Sequence, residues 1–153
     1  MKKALLIFAV LFGFAAVSVA QPKALGVRIG YGVDLSYENY AGGANFLEFE
    51  LGLDDGFHGD AFHVDGVYNF MIAQPNWTAG TWGFYGGPGA TVAMINGDNN
   101  TLYAGIVGNL GLEYTFNIPL QLSLDIRPRL MFGDGGVRSN DIFTFGLGIR
   151  YAF

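Results

Sequence analysis

The chain ends on Phe143-Thr144-Phe145-Gly146-Leu147-Gly148-Ile149-Arg150-Tyr151-Ala152-Phe153, and the fold is decided by how this stretch is read. Every odd position is large and apolar, whereas the even positions hold threonine, glycine, arginine and alanine. Successive side chains of a β-strand point to opposite sides, so a period of two marks a strand with two unlike faces. One face here is continuous bulk. The other is nearly empty space carrying one charge.

The same alternation runs upstream. Leu120, Leu122, Leu124 and Ile126 oppose Gln121, Ser123, Asp125 and Arg127. Ile106, Leu110, Leu112, Tyr114 and Phe116 oppose Gly105, Asn109, Gly111 and Glu113. Trp82, Phe84, Ala90, Val92 and Met94 alternate with Gly83, Gly87, Gly89 and Thr91. Phe62, Val64, Tyr68 and Phe70 alternate with His63, Asp65 and Asn69, and Leu47, Phe49, Leu51 and Leu53 with Glu48, Glu50, Gly52 and Asp54. The first run sets Leu25, Val27, Ile29, Val33, Leu35 and Tyr37 against Gly26, Arg28, Gly30, Asp34, Ser36 and Glu38. Turn-forming clusters separate the runs: Ala41–Asn45, Asp54–Gly56, Gln74–Asn76, Asn96–Asn100, Asn117–Pro119 and Gly133–Gly136.

This spacing yields six strands after residue 44. Residues 24–40 supply two more if Gly30-Tyr31-Gly32 is a three-residue hairpin loop, which keeps Ile29 and Val33 on one face and asks for a left-handed glycine. Eight strands also return both chain ends to the same side of a membrane. The expectation is an all-β, antiparallel up-and-down transmembrane β-barrel of eight strands.

Residue volume chooses the inward face. The bore of an eight-stranded barrel is just wide enough for side chains to fill. Glycines on the polar row, among them Gly26, Gly52, Gly83, Gly105, Gly111, Gly146 and Gly148, would make room there for Arg28, Glu48, Glu50, Asp65, Glu113, Asp125, Arg127 and Arg150. Both signs of charge are present, as a buried polar network requires. The apolar row would overfill the same bore, so it is expected to face lipid. Arg28 and Arg150 fall on the first and last strands, which closure makes neighbours, and Arg127 lies on the seventh. One salt-bridged lumenal plug is expected. Pro88 reads as a bulge and Pro128 as a rim position, since proline cannot donate to a ladder.

Composition agrees with a packed membrane barrel. Apolar residues reach 51%, aromatics 16% and charges only 14%, which excludes disorder. No cysteine is present, so disulfides, thiolate metal sites and acylated cysteine anchors are excluded. Met1-Lys2-Lys3, the apolar stretch Ala4–Ala20 and the ending Ser18-Val19-Ala20 before Gln21 form the pattern of a cleaved secretory signal. The expected division is a signal peptide at 1–20 and an outer-membrane barrel domain at 21–153. Losing Lys2 and Lys3 from the eight basic residues, against thirteen acidic ones, takes the formal charge from −5 to −7. Nucleic acid is not an expected partner, because phosphates require a basic surface.

Tyr40, Trp77, Trp82, Tyr114, Phe116, Tyr151 and Phe153 sit near strand ends, where interfacial aromatic girdles occur. With the secretion signal, the terminal Tyr151 and Phe153 are read as the signal that outer-membrane barrels present to their assembly machinery. Gly26–Gly32, Phe46–Gly52, Phe84–Gly89 and above all Gly111-Leu112-Glu113-Tyr114-Thr115-Phe116-Asn117-Ile118-Pro119-Leu120-Gln121-Leu122-Ser123-Leu124-Asp125, with Arg127-Pro128, resemble a family of small outer-membrane β-barrel proteins of Bacteroidetes and relatives. The resemblance implies export to the bacterial outer membrane and carries no activity, so it assigns no catalytic residue.

Chemistry is sparse. The two histidines are His58, in a loop, and His63, on the polar row two residues from Asp65, with no serine beside either. A serine hydrolase needs all three groups together, so no enzyme is expected. Glu48 and Glu50 share a face because strands repeat every two residues, not because they form a catalytic pair. Asp54, Asp55, Asp60 and Asp98 lack ordered calcium-loop spacing. No cofactor or metal is expected. The function expected is a structural or surface barrel, a monomer whose partners are membrane lipids, periplasmic chaperones and the assembly machinery. A narrow porin-like pore, a lipid-modifying enzyme and a soluble lipocalin-like carrier are the alternatives.

Overall fold

A computed structural model describes residues 23–41, 43–54, 61–139 and 145–153. These residues form β1 (Lys23–Ile29), β2 (Gly32–Tyr40), β3 (Phe46–Asp54), β4 (Ala61–Ala73), β5 (Thr81–Ile95), β6 (Thr101–Thr115), β7 (Leu120–Ile126), β8 (Arg129–Gly133), β9 (Gly136–Ser139) and β10 (Phe145–Ala152). Sequential neighbours pair antiparallel from β1 to β6. β7 pairs with the end of β6 and β8 with its start, in one unbroken register: Leu110↔Ile126 and Val107↔Arg129 bracket the interruption. β9 continues the ladder on β8, and β10 pairs with β7. The sheet closes where β1 meets β10, with Gly26 opposite Arg150.

The ten segments therefore make a closed, eight-stranded antiparallel barrel, with β7–β8 as its seventh strand and β9–β10 as its eighth. Closure pairs β1 and β10 along their shared edge, which removes the unpaired backbone groups that an open sheet exposes there, whereas β9 pairs with β8 alone among the described residues. At the seam Lys23 and Phe153 exchange both backbone hydrogen bonds, at 2.8 Å each, so the last residue completes the wall.

The first hairpin keeps Ile29 opposite Val33, with a backbone bond from Gly30 N–H to Gly32 C=O of 3.0 Å. Its glycines are not left-handed: among the described residues Gly136 alone has positive φ, 97°. It follows the tight turn Asp134-Gly135, where the left-handed conformation that glycine tolerates is needed.

Both prolines sit differently from expectation. Register is unshifted across Pro88, from Val67↔Gly89 to Phe70↔Gly86, and the bulge falls instead between Met71 and Ala73. Pro128 is not at a rim. It interrupts the seventh strand beside Gly108, halfway along β6, and accepts that glycine's N–H at 2.9 Å. Gly108 also faces Pro88 in the ladder, so one glycine lies between two prolines on neighbouring strands. A Cβ on Gly108 would meet Pro128 at 3.5 Å, an ordinary packing distance.

The apolar row points outward and the polar row inward. The bore is closed towards each end by apolar groups. Phe46 and Tyr85 pack edge to face at 5.1 Å at the chain-terminal end. Ala93, Tyr103 and Met131 cluster at the opposite, loop end.

Candidate functional site

The one concentration of chemistry among the described residues is the lumen. Its charges stand on β1–β4, β6–β8 and β10 and at Arg127 between β7 and β8, brought together because period two sends every second side chain into a narrow bore. Seven buried carboxylates (Asp34, Glu38, Glu48, Glu50, Asp65, Glu113, Asp125) meet four buried arginines (Arg28, Arg127, Arg129, Arg150), with buried Lys23 at the chain-terminal end.

At the loop end arginines dominate. Arg28 donates to Asp125 Oδ1 through Nε at 2.8 Å and Nη2 at 2.5 Å, and to Asp34 Oδ2 through Nη1 at 3.1 Å. Arg129 donates to Asp65 Oδ2 through Nε at 3.0 Å and Nη2 at 2.6 Å, and its Nη2 lies 2.8 Å from His63 Nε2. Arg127 holds Glu48 Oε2 at 2.9 Å and touches Glu50 Oε2.

Glu48 is the hub at mid-bore. Its Oε2 also accepts from Asn69 Nδ2 at 3.1 Å and Asn109 Nδ2 at 3.2 Å. Its Oε1 takes Arg150 Nη2 at 2.6 Å and Ser36 Oγ at 3.1 Å. Arg150 reaches further, to Glu38 Oε1 at 3.1 Å, Ser36 Oγ at 2.9 Å and Ser123 Oγ at 2.7 Å.

Towards the chain termini, neutral donors take over. Tyr40 places its hydroxyl 3.0 Å from Glu113 Oε1 and 3.3 Å from Glu38 Oε2, and Gln121 Nε2 donates to Glu113 Oε2 at 2.9 Å. Tyr40, which the sequence places in the aromatic girdle, is therefore inside the mouth, with its ring 4.9 Å from Phe46. Trp77, Trp82, Tyr114, Phe116, Tyr151 and Phe153 form outer ring contacts at the same end, between 4.6 and 6.0 Å.

The glycines act in two ways. A Cβ at Gly146 or Gly148 would collide with the guanidinium of Arg28 or Arg150, and one at Gly111 with Tyr85, so these positions make room for inward side chains. Gly26 and Gly105 do not. A Cβ there would strike the backbone of the neighbouring strand, so they permit close strand approach instead.

All eight residues of the expected lumenal network point inward and lie within this web. Asp34, Glu38, His63, Asn69, Asn109 and Gln121, which stand on the same polar rows of the sequence, belong to it as well. Arg129 was hidden by the reading of Pro128 as a rim residue. Tyr85, Phe46 and Val67 are inward and apolar, a class that the polar row could not reveal.

Ser36 and Ser123 both face Arg150, a donor that cannot accept their protons, and His63 faces Asp34 and Arg129 instead. Residues 1–20, His58, Asp55 and Asp60 lie outside the described residues, and Asp98 is exposed in a turn. No protein-family model, curated protein or solved structure matches the chain.

Proposed function

We propose that the chain is an integral protein of the bacterial outer membrane, exported by a cleaved signal at 1–20, with a structural or surface role and a lumen closed by its own side chains. A single observation carries this reading: the usual distribution of polarity is inverted. Ile29, Leu102, Ile106 and Phe145 are 54–63% exposed on the outer wall, while Glu38, Glu48 and Asp65 are fully buried inside it. An apolar belt this continuous needs an apolar solvent, and a closed ladder satisfies every strand without water. Aromatic contacts around the chain-terminal rim fit an interfacial girdle. The cross-linked lumen favours the closed barrel over a narrow pore, and its serine and histidine contacts give no support to lipid hydrolysis. Lipids, periplasmic chaperones and the barrel assembly machinery are the partners this reading requires, with the barrel acting as a monomer and kinship to the small outer-membrane barrels of Bacteroidetes.

The test is heat-modifiable migration. Folded in detergent, the unboiled chain is expected to run apart from the boiled one, because a closed ladder unfolds only as a unit. Identical migration together with solubility in detergent-free buffer would overturn the assignment.

A further inference from the structure

Asp34 on β2, Gly52 on β3 and His63 on β4 lie in one register row, and Glu50 is the next inward position along β3. Gly52 lets its neighbours converge: a Cβ there would collide with Asp34 Oδ1 and the His63 ring. As a result Asp34, Glu50 and His63, each 2% exposed or less, bring one potential ligand atom apiece to within 4.8 Å of one another.

A separate observation points to a ligand. Asp34 Oδ1 and Glu50 Oε1 are buried and accept no hydrogen bond from the described residues. Unsatisfied buried carboxylate oxygens are costly, so something should face them. The polar atom beside Asp34 Oδ1 is His63 Nε2, at 3.3 Å. Arg129 Nη2 approaches that same nitrogen at 2.8 Å, and a guanidinium can only donate. Nε2 therefore turns its lone pair to Arg129 and has no proton for Asp34 Oδ1, and the gap between those two atoms suits a bridging cation once Arg129 moves aside. The lumen has the charge to receive one, since seven carboxylates exceed its four arginines and Lys23.

We propose that Asp34, Glu50 and His63 form a divalent-cation site at the loop end of the lumen. Two carboxylates and one imidazole suit a borderline ion such as Zn2+ better than Mg2+ or Ca2+, which prefer oxygen alone. Arg129 yields Nε2 to the ion and keeps Asp65, which it holds through both Nε and Nη2. The site lies two residues from the strand ends at Gly32, Asp54 and Ala61.

The experiment uses the full mature chain, folded in whichever medium keeps it folded, so it does not depend on membrane residence. After chelation, the chain is incubated with Zn2+ or Mg2+ and passed through a desalting column. One Zn2+ per chain is expected to be retained, with the unfolding temperature raised by several degrees, and Mg2+ is expected to do neither. Asp34→Asn and His63→Gln keep side-chain volume and are expected to abolish retention, whereas His58→Gln keeps it. Co2+ loaded into the unaltered chain should show visible ligand-field bands, a readout that requires no variant to fold. Failure to retain Zn2+, retention undiminished in folded Asp34→Asn and His63→Gln, or a colourless Co2+ complex would each overturn the site.

Discussion

The two ends of the lumen solve the same problem differently. At the loop end, carboxylates are matched by guanidiniums: Arg28 with Asp34 and Asp125, Arg129 with Asp65, Arg127 with Glu48 and Glu50. At the chain-terminal end one arginine, Arg150, serves both Glu38 and Glu48, and Glu113 is held by Tyr40 and Gln121. Tyr40 has a single proton to offer two carboxylates. A guanidinium brings charge and five donors in fixed directions, whereas a hydroxyl or amide brings only a dipole. The loop end is thus cross-linked by three arginines. Among the described residues, the terminal end has one arginine.

That contrast predicts unequal costs of deletion. Arg150→Met should be the most damaging single change, because it strips the ion pair from Glu38 and half the support from Glu48. Breaking a buried pair costs about 3–5 kcal/mol, and the upper part of that range is expected here in urea unfolding of the detergent-folded chain. Arg127→Ala should cost less, about 3 kcal/mol: Glu50 loses its ion pair, but Glu48 keeps Arg150, Ser36, Asn69 and Asn109, whereas Arg150 also holds Ser36 and Ser123. If the two losses are equal, the terminal end has support beyond Arg150 and the comparison fails.

The opposite sign is expected at Glu113. Glu113→Gln removes one of two carboxylates around Tyr40 while its carbonyl can still accept the hydroxyl. It should stabilise the barrel by about 1 kcal/mol, the scale of relieving one like-charge contact in a buried network. Destabilisation in the same unfolding measurement would show that the Glu113 charge is itself needed. Arg138→Ala sets the floor. Arg138 lies on β9, not in a loop, exposed and 5.4 Å from the centre of the Tyr103 ring. Its loss should cost about 0.5 kcal/mol, typical of an exposed cation–π contact. A cost matching Arg127→Ala would mean that the lumenal pairs add little to stability.

A third region tests assembly instead of stability. Deleting Phe153 removes a ring partner of Tyr151 and both backbone bonds to Lys23 at the seam. The amount of assembled barrel is expected to fall while synthesis and export persist, read as loss of the heat-modifiable band at constant total protein. Unchanged assembly would make Phe153 only the end of a strand.

Much of this was legible from residue order. Strict alternation through Phe143–Phe153 and its upstream counterparts gave strand identity and face, because parity is a local property of extended backbone. Glycine on one row and bulk on the other gave the inward side, because the bore admits only limited volume. Short turns gave antiparallel neighbours, and closure placed Arg28 beside the strand of Arg150. Parity also survives Pro128, so Arg129 was readable in principle.

What parity cannot give is depth along the bore or the partner across it. Arg28 bonds Asp125, 97 residues away, and Arg150 bonds Glu48, 102 residues away. Those pairings follow from strand tilt, from the stagger of the closing register and from which long side chain reaches farthest. The same holds for Tyr40, whose place at a strand end suits either girdle or mouth until Phe46 and Glu113 are seen to face it. Asp34 and His63 lie 29 positions apart and meet only because Gly52, between them in the sheet, leaves its space to both. Sequence determined which residues enter the lumen, since that depends on neighbours in the chain. Tertiary structure decided which of them touch, since that depends on closing the whole sheet.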